Sequence, residues 1–305
     1  MNELSLATQG MSERGADWAA WVDRLPVRVS TLLTDWQLTT DGTPMHGYCS
    51  VVLPVRDREE QPTVLKVAFD GDDESEHEAL TLQHWSGDGA VRLLRADPRR
   101  RAMLLERLHP TDLRALWDVE ACEVVAGLYP RLHRRALPQL RSVTSYVDRW
   151  LDDLEGLGRD LPVPPRMVQQ ALHLGRALVS DAASTGVVVH GDLHFENVLA
   201  ADREPWLAID PKPMSGDPHY EPAPLLQNRW HEMTGHVRTS IRRRFHAVVD
   251  AAGLDEARAR DWVIVRMVLD ASWSVLDARR LDRALTAEES EWITRCVTIV
   301  KAVQD

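Results

Sequence analysis

Lysine is nearly absent from this chain. Of its 36 basic residues only Lys66, Lys212 and Lys301 are lysine, and the rest are arginine. Arginine serves on most surfaces but cannot always replace a compact ammonium, so each surviving lysine marks a position to follow. Cysteine is sparse too. Cys49, Cys122 and Cys296 are widely spaced, odd in number and form no CxxC pair. That argues against a disulfide framework and a structural zinc site, and for a reducing cytoplasm. No run of about 18 apolar residues occurs, so no membrane-spanning helix and no membrane partner is expected. Residues 1–17 lack a basic head followed by an apolar run, so a secretory signal is not expected there. Positive charge is also in deficit. A net charge of −11 disfavours nucleic acid as a partner. It suits a cationic substrate, and it serves solubility equally well. There is no internal repeat and no low-complexity linker.

What is present is an ordinary soluble composition, 44% hydrophobic and 27% charged over 305 residues, enough for one large domain or two smaller ones. The texture changes once. Residues 1–17 read as a loose lead-in. Strands are expected over 50–55, where Pro54 suggests an edge or bulge, and over 63–69. A helix is expected over 74–85. A strand pair over 90–94 and 102–105 follows. Helices are then expected over 111–137 with a break at Pro130, and over 143–157, 165–184, 225–234, 236–252, 254–280 and 287–303. A strand-loop-strand island, 187–210, interrupts them. The reading is α+β: a small sheet-plus-helix lobe over 1–105, a connector at 106–108 and a mainly helical lobe over 109–305.

The island carries the chemistry. His190-Gly191-Asp192-Leu193-His194-Phe195-Glu196-Asn197 is bracketed by short apolar stretches, and Ile209-Asp210-Pro211 follows at hairpin distance. Phosphoryl transfer needs a carboxylate to receive the proton of the attacking hydroxyl and hard oxygen ligands for magnesium. The pattern Asp-x4-Asn followed by a second Asp supplies both. Asp192 alone reads equally well as a turn residue; the constellation does not. A zinc site built on His190, Asp192 and His194 finds no further cluster to complete it, and His190 reads better as a buttress of the loop. Lys66, in mid-strand, is placed to hold phosphates and to pair with a helical glutamate, Glu78 in preference to Glu76. An edge-strand lysine that resists aggregation is its bland alternative. Gly47 to Ser50 is the candidate phosphate-covering loop, though it is not GxGxxG and reads equally as a surface turn.

These residues resemble the aminoglycoside phosphotransferase family, in its streptomycin 6-kinase and hydroxyurea-resistance kinase branch. The likeness lies in the Asp192 and Asp210 motifs and in Gly216-Asp217-Pro218 through Leu225-Leu226-Gln227-Asn228-Arg229-Trp230. It extends to residues 85–94 ahead of Leu104-Leu105-Glu106-Arg107. The resemblance implies a two-lobed protein-kinase-like fold and direct transfer from ATP to a small-molecule hydroxyl. It implies adenine at the connector of Glu106 and Leu108, phosphate on Lys66 and Ser50, Asp192 as base, and Mg2+ on Asn197 and Asp210. Gly191 stands where many protein kinases have arginine, so constitutive activity is expected. Phe195 and Glu196 are bulky for their loop positions and are expected to narrow the acceptor site. Asp217, Glu221 and Asp270 are candidate contacts for a cationic aminoglycoside or amino sugar; Asp217 equally reads as a brace of the loop, and Trp230 and Trp273 read as core. Streptomycin is the first acceptor to consider. Glucosamine-type sugars and hydroxyurea are alternatives, and a nucleotide-binding module without turnover is a more remote one.

Overall fold

The structure, a computed structural model, describes Leu4, Thr8 and residues 10–305, without the Arg159 side chain. Of the lead-in expected over 1–17, residues 1–3, 5–7 and 9 lie outside the described residues. The remainder is ordered more than expected: Ser12–Arg14 forms a 3-10 turn, Met11 is buried, and Ala16 opens a long helix. The chain divides into two compact units. One runs up to Pro110 and includes Ala200–Lys212; the other is Thr111–Leu199 with Pro213–Asp305. Residues 200–212, expected in the second lobe, therefore group with the first.

The first unit is one antiparallel sheet backed by a helix. Helix α1 (Ala16–Trp36) buries Trp21, Leu25, Val29, Leu32 and Trp36, a stripe at helical spacing. The sheet comprises β1 (Thr39–Thr40), β2 (Met45–His46), β3 (Ser50–Arg56), β4 (Pro62–Ala68), β5 (Leu93–Asp97) and β6 (Ala102–Glu106), in the order β1-β3-β4-β6-β5 with β2 also on β3. Val51, Leu53 and Val55 alternate inward along β3 and join Leu65, Val67 and the α1 stripe in one core. Each such side chain contributes roughly 1.5–3 kcal/mol by leaving water.

Of the edge or bulge expected at Pro54, the edge is not found, since β3 has neighbours on both sides. β1 pairs at Thr40↔Val55 and β2 at Met45↔Val52, so the neighbouring strand is interrupted beside Pro54 and its missing N–H disrupts no ladder there. Helix α2 spans Glu78–Trp85. It starts four residues later than expected because the Asp72 side chain takes the Glu74 N–H and the Ser75 hydroxyl into a turn.

The second unit is mainly helical: α3 (Asp118–Leu132), α4 (Val143–Leu157), α5 (Pro165–Ser180), α6 (Val237–Ala252), α7 (Glu256–Arg280) and α8 (Ala287–Gln304). Its core runs along α7, whose buried residues include Trp262, Val263, Ile264, Val265, Met267, Val268 and Leu269. α4 buries Val143, Tyr146, Val147, Leu151, Leu154 and Leu157. Pro130 lies in the last turn of α3 without breaking it. The helix expected over 225–234 is a pair of 3-10 turns, Ala223–Gln227 and Trp230–Met233, separated by Arg229 in the left-handed region at φ 52°. A short sheet pairs β7 (Val187–Val189) with β10 (Met214–Gly216). Gly216 is required there, since a Cβ would stand 2.7 Å from Val143 Cγ2 and 2.8 Å from Val189 Cγ2. β8 (Val198–Ala200) and β9 (Trp206–Ala208) complete the strands. Among the described residues no helix is long and apolar enough to cross a membrane.

Candidate active site

In the first unit, β4 presents Lys66 from the interior of the sheet. It stands opposite Val52 on one side and Met103 on the other, so it is not an edge-strand lysine. Its Nζ donates to Glu78 Oε1 at 2.6 Å, Glu78 Oε2 at 2.8 Å and Asp210 Oδ1 at 2.6 Å. Glu78, not the exposed Glu76, is the partner, and it is itself 1% exposed. Burial alone would lower the lysine's pKa, but Asp210 and then Glu78 overcome it and leave it raised. Asp210 sits in the left-handed region at φ 55°, a conformation that aspartate tolerates better than most residues. Lys212 Nζ lies 3.7 Å from the same Asp210 oxygen and 3.6 Å from Asp72 Oδ2.

The proposed phosphate-covering loop is the tight connection between β2 and β3. The Gly47 N–H donates to Ser50 O at 2.9 Å, so that amide serves the hairpin, and Ser50 is buried. The connector is also braced. The Glu106 carboxylate accepts from Arg92 N at 2.7 Å and from Arg203 Nη2 at 2.6 Å, its own N–H donates to Arg92 O at 3.1 Å, and Leu108 is half-buried. Arg107 donates to Asp41 at 2.8 Å and to Val55 O at 2.7 Å.

In the second unit, β7 ends in the loop that carries Asp192. Gly191 has φ 82°, which a side chain would strain. The loop is held from below by carboxylate-to-backbone bonds. Glu221, fully buried, accepts from His190 N at 2.5 Å and from Gly191 N at 3.2 Å. Burial pushes its pKa up, but His133 and His190 outweigh that and hold it below the usual range. His190 is fully buried, and its Nδ1 accepts from Asp192 N at 3.3 Å, consistent with a buttress. Asn197 Nδ2 donates to Asp192 O at 2.8 Å, and Phe195 N donates to Asn228 Oδ1 at 2.9 Å. Asp192 itself keeps 33% of its side chain exposed. Among the described residues no three His, Cys, Asp or Glu side chains converge as metal ligands.

Several expectations are corrected here. Glu221 and Asp217 are not placed to touch an acceptor. Asp217 is buried and bonded to His219, to Arg258 Nε at 2.5 Å and to Trp262 Nε1 at 2.8 Å. Burial opposes its ionisation, yet His219, Trp262 and Arg258 bring its pKa down to about 2. Phe195, expected to narrow the acceptor site, is fully buried against Arg244, 5.6 Å from ring centre to guanidinium. Glu196 turns outward to Arg114 at 2.7 Å. Asp270 is buried on α7, one turn beyond Arg266. Trp273 is partly buried with Trp150 and Tyr146, and Trp230 is partly buried under Arg295.

The loop does have an arginine beside it. Arg266 on α7 donates to Gly191 O at 2.5 Å, lies 4.5 Å over the Tyr220 ring, and feels the charges of Asp270, Asp192 and Glu221. Sequence reasoning missed Arg266, although an arginine inside Trp262-Val263-Ile264-Val265-Arg266-Met267-Val268-Leu269 was a visible anomaly. It also missed Asp72, Arg203 and Asn228, whose roles depend on contacts distant in sequence.

Comparison with known proteins gives the family and the fold. Residues 35–278 match the family described as aminoglycoside/hydroxyurea antibiotic resistance kinase. A streptomycin 6-kinase of Streptomyces glaucescens is 39% identical over 279 residues, covering 86% of this chain and 87% of that protein. A hydroxyurea phosphotransferase of Kitasatospora aureofaciens is 38% identical, covering 86% and 77%. Among solved structures, the aminoglycoside phosphotransferase APH(4)-Ia superposes with TM-score 0.61 at 16% identity over 91% of this chain and 99% of that one. The spectinomycin phosphotransferase APH(9)-Ia, solved with ADP and spectinomycin, gives 0.62 at 14% identity over 92% and 98%. The fold is thus the α+β, protein-kinase-like one expected from the sequence, and the chain belongs to the aminoglycoside/hydroxyurea antibiotic resistance kinase family.

Proposed function

We propose that this protein transfers the γ-phosphate of ATP to a hydroxyl of streptomycin and so inactivates the antibiotic. The observation that carries the reaction class is the three-way contact of Lys66 with Glu78 and Asp210, two motifs far apart in the chain. The acceptor is carried by relatives named streptomycin 6-kinase, 39% and 36% identical. Asp192 is the base. The hydroxyl oxygen bonds to the γ-phosphorus, the bond to the bridging oxygen breaks, ADP departs, and the hydroxyl proton passes to the Asp192 carboxylate. Glu221, His190 and Arg266 fix the loop so that this carboxylate is already aimed. Lys66 holds the phosphates, and the backbone of the 106–108 connector receives the adenine.

The residues fit magnesium. Asp210 offers a one-third-exposed carboxylate. Asn197 spends its amide nitrogen on Asp192 O, which leaves its oxygen as a donor for a cation. Both are hard oxygen donors. Magnesium held there would neutralise charge on the phosphates. Cytoplasmic residence fits three free thiols.

ATP consumption against streptomycin, other aminoglycosides, glucosamine and hydroxyurea tests the reading, with Asp192→Ala as the blank. Turnover of streptomycin is expected, and its absence beside turnover of another acceptor overturns the substrate. Hydroxyurea is the second reading, favoured by the 38% identical relative.

A further inference from the structure

Two of the three lysines in this arginine-rich chain converge on one oxygen. Lys66 and Lys212 both face Asp210 Oδ1, at 2.6 and 3.7 Å, while Lys301 lies exposed on α8. Their surroundings differ. The three donors of the Lys66 ammonium meet three acceptors, Glu78 Oε1, Glu78 Oε2 and Asp210 Oδ1. Lys212 is 19% exposed, yet its nearest carboxylate oxygens stand at 3.6 and 3.7 Å, within ion-pair range but beyond a hydrogen bond. Among the described residues its ammonium donates to none.

Lys212 is thus a partly exposed ammonium whose hydrogens are not spent on the protein. It is held in place from both sides. Pro211 restricts the backbone just before it. Asp72 is fixed by the Ser75 hydroxyl at 2.6 Å and the Glu74 N–H at 3.2 Å. A guanidinium is broader and spreads its charge over a planar fork, whereas lysine offers a compact point charge. Glu78, Asp210 and Asp72 stand against the two ammonium groups, so the cluster is formally negative and suits a polyphosphate that arrives with magnesium.

We propose that Lys212 is a second phosphate-binding ammonium, donating to the polyphosphate of the nucleotide whose other phosphate contact is Lys66. This rests on the kinase reading. Lys66 is anchored to Glu78 and sets the position of the phosphates, whereas Lys212 has its hydrogens ready for them.

The test is equilibrium binding of ATP, ADP, AMP and adenosine, with magnesium, to the full chain and to Lys212→Met, alongside thermal melting. ATP affinity is expected to fall about 10- to 100-fold, the range for a hydrogen bond to a charged group, with adenosine affinity and melting temperature unchanged. Unchanged ATP affinity, or an equal loss for ATP and adenosine, overturns the proposal. Lys212→Gln, neutral and polar, gives the same reading should the methionine variant not fold. Wild-type protein that binds no nucleotide overturns the kinase reading and the proposal with it. Wild-type binding matched by the variants overturns the proposal alone.

Discussion

The Lys66 cluster of the first unit and the Asp192 loop of the second are held by different physics. Around Lys66 the bonds run from charge to charge: a buried ammonium, Glu78 and Asp210. Around Asp192 they run from charge to backbone: Glu221 to two amides, Arg266 to a carbonyl. Side-chain ion pairs can exchange partners when a charged ligand arrives. Carboxylates bonded to main-chain amides fix the chain itself and have nothing to exchange. The first arrangement suits binding a polyanion, and the second suits aiming one carboxylate.

The largest test of that contrast is Asp192→Ala. Turnover is expected to fall by about 10²–10⁴, the usual share of a general base, with ATP affinity retained; unchanged turnover would remove Asp192 as the base. Next is Glu221→Gln, which leaves one oxygen for two amides. A buried unsatisfied donor costs about 1–3 kcal/mol, so kcat should drop roughly 5- to 150-fold with KM for ATP unmoved. A matching rise in KM would mean that the loop also shapes the nucleotide site.

On the other side of the comparison, Asp210→Ala should weaken magnesium-nucleotide affinity by more than about tenfold, the loss seen even for groups one step removed from a metal. Normal affinity would move the metal elsewhere. The smallest effect is on stability. Asp217 has its pKa lowered to about 2 from 3.8, so it stabilises the fold above the unfolded value, and that contribution disappears as pH falls through about 2. Asp217→Asn should therefore cost about 2 kcal/mol at pH 7, shrinking below pH 4. Denaturant titrations at both ends of that range check it, and a difference that stays constant with pH contradicts the linkage.

Much of this was legible in the chain. Helix α4 begins and ends at the residues expected from its apolar spacing, because Val143, Tyr146, Val147, Leu151 and Leu154 leave one face to bury. Lys66 and Glu78 were legible because lysine is rare and the pair belongs to neighbouring elements. What could not be read was how polar residues would be spent. Asp217 and Glu221 looked available to a cationic ligand; the fold uses them on Arg258, Trp262 and the loop amides. Phe195 looked like an obstacle and proved to be core. Pro54 looked like an edge because the gap between β1 and β2 depends on two short pairings that carry no hydrophobic pattern.

Arg266 has one further consequence. The contact that steadies the Asp192 loop comes from the middle of a packed helix, so it exists as soon as the chain has folded. No phosphate need be added to create it, and none can be removed to abolish it.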